Sequence, residues 1–140
     1  MKKGQTLIEI IVAIGVVVLL VTGLLAGATA TLKAAQYSRV KSLAVRYSQE
    51  ALETARTVRN TGWETFSTYG SVGGITWCLN KAGSWTQAPG SCSPNIDNIY
   101  TRTVVFTWQD PKMNVAVSTT WTDGARTYRV DQTTYFTQWQ

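Results

Sequence analysis

A carboxylate stands at the head of a stretch that is otherwise fit to cross a bilayer, and this pairing constrains the chain more than any other feature. From Ile10 to Leu32 the sequence carries no charged side chain, and Glu9 directly precedes it. The run exceeds the roughly 20 apolar residues needed to span a hydrocarbon core. A charge at that depth is unfavourable by roughly 2.5 to 3.5 kcal/mol on insertion scales, so an acidic residue there marks a functional site and calls for a cationic partner.

The chain opens Met1-Lys2-Lys3-Gly4-Gln5-Thr6-Leu7-Ile8-Glu9, a basic stub closed by glycine and followed by the first apolar residues. Gly4-Gln5-Thr6-Leu7-Ile8-Glu9 resembles the cleavage and methylation signature of type IV prepilins and type II secretion pseudopilins. The resemblance implies a leader of residues 1–4, cut between Gly4 and Gln5 by a membrane-bound prepilin peptidase. It further implies N-methylation of the new amine on Gln5 and a role for Glu9 in subunit assembly. The family often places Phe first in the mature chain, where this sequence has Gln5. The specific part of the resemblance covers residues 2–32.

Such a cut would leave the Gln5 α-amine one helical turn before Glu9. In a medium of low dielectric an ammonium and a carboxylate attract far more strongly than in water, while burying both carries its own desolvation cost. The pair therefore specifies position more than it stabilises. A subunit whose Glu9 meets the Gln5 amine of a neighbour is in register, and one whose Glu9 lacks a cation is mismatched.

Two plainer readings compete. Lys2 and Lys3 with Ala28-Thr29-Ala30 resemble the basic region and cleavage site of an ordinary secretory signal, but such signals have apolar cores of about 7 to 15 residues and do not normally begin with glutamate. A simple single-pass anchor explains the length of the run but not the Gly-Gln-Thr-Leu-Ile-Glu order.

The 140 residues leave room for one modest domain beyond the hydrophobic run. The formal charge of +5 includes Lys2 and Lys3, so the side chains of a trimmed chain sum to +3. That mild excess permits weak attraction to anionic lipid or nucleic acid, but basic surfaces are usually solvated faces, and no specific nucleic-acid partner is expected. Histidine is absent, which removes the usual general base for serine or cysteine catalysis and one of the commonest metal ligands. Cys78 and Cys92, the only cysteines, are too few for a four-ligand zinc site. Neither a metal nor another cofactor is expected. Beyond the membrane, where thiols oxidise, the two cysteines read as one disulfide closing a loop rich in Gly, Ser and Pro.

No catalytic arrangement emerges. Asp97, Asp110, Asp123 and Asp131 are scattered, and Gly70-Ser71-Val72-Gly73-Gly74 lacks the lysine and the preceding strand of a phosphate loop. The chain reads as a non-enzyme.

Residues 33–60 are amphipathic at helical spacing, with Val40, Ala44, Tyr47, Ala51, Ala55 and Val58 on one stripe and Leu43 and Leu52 at its edge. Arg46 and Glu50 are spaced as a surface pair, and Asn60 followed by Gly62 reads as a helix stop. No proline interrupts residues 5–60, so one helix about 80 Å long is expected. Many pilins have a proline where Ala26 stands here; Gly23 and Gly27 flank it and weaken the helix by about 1 kcal/mol each.

Residues 62–97 read as irregular, with a short strand at Gly74 to Leu79. Three strands then follow, Tyr100 to Trp108, Met113 to Trp121 and Ala125 to Tyr135, forming an antiparallel meander with turns at Asp110-Pro111-Lys112 and Asp123-Gly124. A two-residue turn centred on Asp123-Gly124 sets Trp121 opposite Arg126, Thr119 opposite Tyr128 and Val117 opposite Val130. The tail, Val117 to Trp139, loosely resembles the carboxyl ends of some minor pilins and pseudopilins.

Trp63, Trp77, Trp85 and Trp139 lie outside the clearest strand cores. Exposed aromatic faces stack on sugars or bases, while core packing and subunit contact are the plainer roles of such rings. Trp85, inside the Cys78–Cys92 loop, is the sequence's candidate for ligand contact.

These readings converge on an α+β fold, a long N-terminal helix packed on a small antiparallel β-sheet. The expected parts are a leader at 1–4, a hydrophobic helix at 5–32, its amphipathic continuation at 33–60 and a β head at 61–140. The resemblance implies a minor pilin, inserted as a single-pass membrane protein amid lipid and then assembled with other pilin subunits into an extracellular filament. The alternatives are a pseudopilin of a type II secretion or DNA-uptake system and a membrane-tethered carbohydrate-binding module.

Overall fold

The computed structural model describes residues 3–138, and side chains from Leu7 onward. Helix α1 occupies Lys3–Thr61 and a short α2 occupies Trp63–Ser67. Five strands follow: β1 at Ile75–Leu79, β2 at Trp85–Gln87, β3 at Tyr100–Gln109, β4 at Lys112–Asp123 and β5 at Arg126–Thr137. They form one antiparallel sheet in the order β2-β1-β3-β4-β5. The architecture is α+β, as the sequence predicts. The chain divides into two compact units, Met1–Val40 and Lys41–Gln140.

In the first unit every described side chain from Leu7 to Arg39 is exposed. The segment is long and apolar enough to cross a membrane. Its helical geometry persists through Gly23, Ala26 and Gly27. The only hydroxyls of the uncharged run turn back onto the helix itself. Thr22 Oγ1 donates to the Val18 carbonyl at 2.9 Å, Thr29 to that of Ala26 at 2.9 Å, and Thr31 to that of Gly27 at 2.9 Å. In hydrocarbon an unsatisfied polar group costs several kcal/mol, and these three are satisfied without a neighbour.

In the second unit the residues of α1 from Lys41 onward meet the sheet through small side chains. Ala44, Ser48, Ala51 and Ala55 are fully buried, one every three to four residues along a single face. The larger members of the expected stripe, Leu43, Tyr47, Leu52 and Val58, flank that line half-buried. The stripe is therefore centred on residues small enough to bring helix and sheet close together. Facing it are Val104 and Phe106 of β3, Met113, Val115 and Val117 of β4, and Leu79 and Phe136. Alternation along β3 and β4 places these positions inward, since successive side chains of a strand point to opposite faces.

Two elements arise in the stretch expected to be irregular. The α2 segment presents Phe66, fully buried, with its ring edge-on to Phe106 at 5.8 Å and to Phe136 at 5.4 Å. The β2 strand adds three residues to the outer edge of β1. Gly70, just after α2, has no room for a side chain. A Cβ there would lie 2.5 Å from Met113 Sδ and 3.1 Å from Phe106 Cβ.

The β4–β5 register differs from the expected one by two residues. Trp121 pairs with Tyr128, Thr119 with Val130 and Val117 with Gln132. The turn is centred on Gly124-Ala125, with Asp123 paired to Arg126. A primed hairpin turn can require positive φ at its first central position alone, where glycine is preferred. Gly124, at φ 60°, meets that need, and among non-glycine described residues only Asp97 and Asn98 take positive φ. Asp123 thus stays in its strand. The shift by two keeps every side chain on its face, and it stacks Trp121 on Tyr128 with ring centroids 5.5 Å apart.

Candidate functional site

Gly4, Gln5 and Glu9 all lie on α1, but the side chain of Gln5 is outside the described residues. Glu9 is exposed, one turn beyond Gln5. It stands next to a surface of apolar side chains, among them Leu7 at 62%, Ile8 at 66% and Ile10 at 60% exposure. Among the described residues no ion pair reaches the Glu9 carboxylate.

Cys78 and Cys92 are joined in a disulfide with Cα atoms 5.6 Å apart. The closed loop spans a sequence separation of 14, for which restriction of the unfolded chain gives about 3 kcal/mol. Trp85 lies within that loop on β2 and is half-buried. Its ring packs against Phe106 at 5.6 Å, Tyr69 at 5.8 Å and Trp77 at 6.5 Å. Trp85 is thus part of the core margin and not an open platform. Trp77 is likewise engaged, its indole N–H donating to the Tyr69 carbonyl at 2.8 Å. Trp139 falls outside the described residues.

Sequence reasoning missed the polar hub of the head. Arg102 sits on β3 with no exposed surface, on the same inward parity as Tyr100, Val104 and Phe106. Its Nε donates to the Leu79 carbonyl at 3.0 Å, Nη1 to that of Tyr47 at 2.9 Å and Nη2 to that of Asn80 at 2.6 Å. One side chain therefore ties α1, β1 and the β1–β2 turn to β3. Glu50 Oε1 lies 3.8 Å from Nη1, so this carboxylate serves Arg102 and not the Arg46 pairing expected from spacing. Burial holds the guanidinium below its ordinary value, and the charge of Glu50 pulls the other way.

Asn95 braces the same residue from outside. Its side chain accepts from the Arg102 backbone N–H at 2.9 Å and donates to the Arg102 carbonyl at 2.9 Å. The following residues, Asp97 and Asn98, adopt left-handed backbone, at φ 52° and 54°, a conformation that short polar side chains tolerate. Asp97 then meets Lys81 Nζ at 2.8 Å and 2.9 Å through its two oxygens. A lone arginine on the apolar parity of β3 was the signal available in the sequence.

Comparison with protein-family models, curated proteins and solved structures returns no match. The functional reading rests on the residues themselves.

Proposed function

We propose that this chain is a structural subunit of a type IV pilus-like filament, of the minor-pilin kind, assembled through α1 after trimming between Gly4 and Gln5. The observation that carries the reading is Glu9 at the head of an exposed apolar helix, in the order Gly4-Gln5-Thr6-Leu7-Ile8-Glu9. Before assembly the segment would lie in lipid, where its threonines need no partner. In the filament the same surface exchanges lipid for neighbouring helices, and the methylated Gln5 amine of one subunit meets Glu9 of another.

The test is the location of the chain in cells. Filaments sheared from the surface and sedimented should contain it, at the mass of the trimmed form. A chain found wholly in the membrane fraction of filament-bearing cells contradicts the proposal.

A further inference from the structure

We infer that the head carries a binding site for an uncharged oligosaccharide in a trough between α2 and the β3–β4 turn. The inference is independent of the filament reading. Two adjoining open surface grooves, of about 380 Å³ and 360 Å³, share Trp63, Thr137 and Gln138 in their walls. The first is completed by Trp108, Asp110 and Pro111, the second by Arg59, Asn60 and Gly62.

The chemistry of this lining is specific. Trp63 and Trp108 are each half-buried, their ring centroids 6.0 Å apart and the planes inclined at 60°. The two indoles pack edge to face on one another, and Trp63 also on Phe66 at 5.5 Å; unlike Trp85, both keep surface on the trough, where an indole can meet the C–H face of a sugar ring. Around them stand the Asp110 carboxylate and the Gln138 carboxamide, planar groups able to bridge neighbouring hydroxyls, and the Arg59 guanidinium, held by Asn60 Oδ1. A small number of placed polar groups among aromatic walls is the usual composition of a small-molecule site.

The charges decide the class of sugar. One cation, Arg59, and one anion, Asp110, line the trough, so a ligand without net charge leaves neither opposed. Among the described residues no cation pairs with the Asp110 carboxylate. Arg59 is already oriented, its Nη2 donating to Asn60 Oδ1 at 2.8 Å and its Cζ standing 5.6 Å from the Phe136 ring centroid. Such fixed groups bind with less ordering cost than mobile ones. The site lies in walls formed by α1, α2, β3 and β5, away from Trp85, which the core occupies.

The test uses the full chain in detergent micelles with cellotetraose and tetra-N-acetylchitotetraose as neutral probes and a hyaluronan tetrasaccharide as the charged one. The expected result is saturable shifts of the Trp63 and Trp108 indole N–H resonances with at least one neutral probe. Asp110→Ala, in an exposed turn, should weaken that binding about tenfold, the ratio expected for one charge-assisted hydrogen bond, while Trp85→Phe leaves it unchanged. Trp108→Leu should abolish it, and because that variant alters packing, Asp110→Ala stands as the decisive one. No saturable shift up to the solubility of either neutral sugar overturns the inference. So does binding that Asp110→Ala leaves intact, or tighter binding of the charged probe.

Discussion

The Ser48 hydroxyl of α1 lies 2.8 Å from the Thr119 hydroxyl of β4, with both side chains fully buried. Ser48 Oγ also donates to the Ala44 carbonyl at 3.0 Å. With the single serine proton so directed, Thr119 is the donor of the pair. This one polar contact sits in the seam of small residues where the helix approaches the sheet.

The asymmetry of that contact predicts an asymmetry of mutants. Ser48→Ala strands the Thr119 hydroxyl in the core and should cost about 1 to 3 kcal/mol, the penalty for a buried unsatisfied donor. Thr119→Val leaves Ser48 its carbonyl partner and should cost less. The double variant should be more stable than Ser48→Ala alone, as read by chemical denaturation of the full chain in micelles. Additive losses would show that the two hydroxyls do not depend on each other.

Arg102 holds three carbonyl groups, so its removal should be the most damaging single polar change in the head. Arg102→Leu should cost about 3 to 5 kcal/mol, the range for breaking a buried charged network. Arg102→Lys should recover little, because an ammonium cannot span three acceptors fixed by a planar fork. Glu50→Gln should change stability by less than about 1 kcal/mol, since that partner is 42% exposed and 3.8 Å away. Equal losses from Arg102→Leu and Glu50→Gln would mean that the ion pair, not the carbonyl bonds, does the holding.

Asp97 raises the pKa of Lys81, first through their hydrogen bond and then through its charge. A folded value above the unfolded one means that the contribution to stability is complete below the ordinary lysine range. It is lost as pH climbs through the raised value. Melting temperature should therefore fall on the alkaline side, more for the native chain than for Asp97→Asn. Both groups are exposed, so the difference should be small; identical alkaline profiles would assign the pair no role.

Replacing Glu9 separates membrane insertion from assembly. Glu9→Ala removes a charge that costs roughly 2.5 to 3.5 kcal/mol at membrane depth, so insertion should be undiminished while incorporation into sedimented filaments falls. Unchanged incorporation would count against the registration role proposed for Glu9.

The long helix and the three-strand meander were legible because each has a strong period: an uninterrupted apolar run, then alternation through Val104, Phe106, Val115 and Val117. Legibility failed where a single residue overrode the pattern. Gly124 moved the hairpin centre by one position because it alone supplied positive φ. Ser48 lay on the buried face but is polar, so apolar periodicity passed over it. Arg102 occupied an inward strand position, and its partners are backbone carbonyls that no side-chain pattern announces. Trp85 was legible as an aromatic within the disulfide loop, yet its contacts with Tyr69 and Phe106 depend on tertiary packing. The trough at Trp63 and Trp108 joins residues 45 positions apart in sequence, which only the folded sheet brings together.

Filament assembly as proposed requires a positive mate for Glu9 created by trimming, and the mass of the native amino-terminal peptide tests it most directly. A first residue of Gln5 bearing an N-methyl group is the predicted result, with the leader retained in Gly4→Leu. A native chain that begins at Met1, or one cut after Ala30 and released, would contradict it.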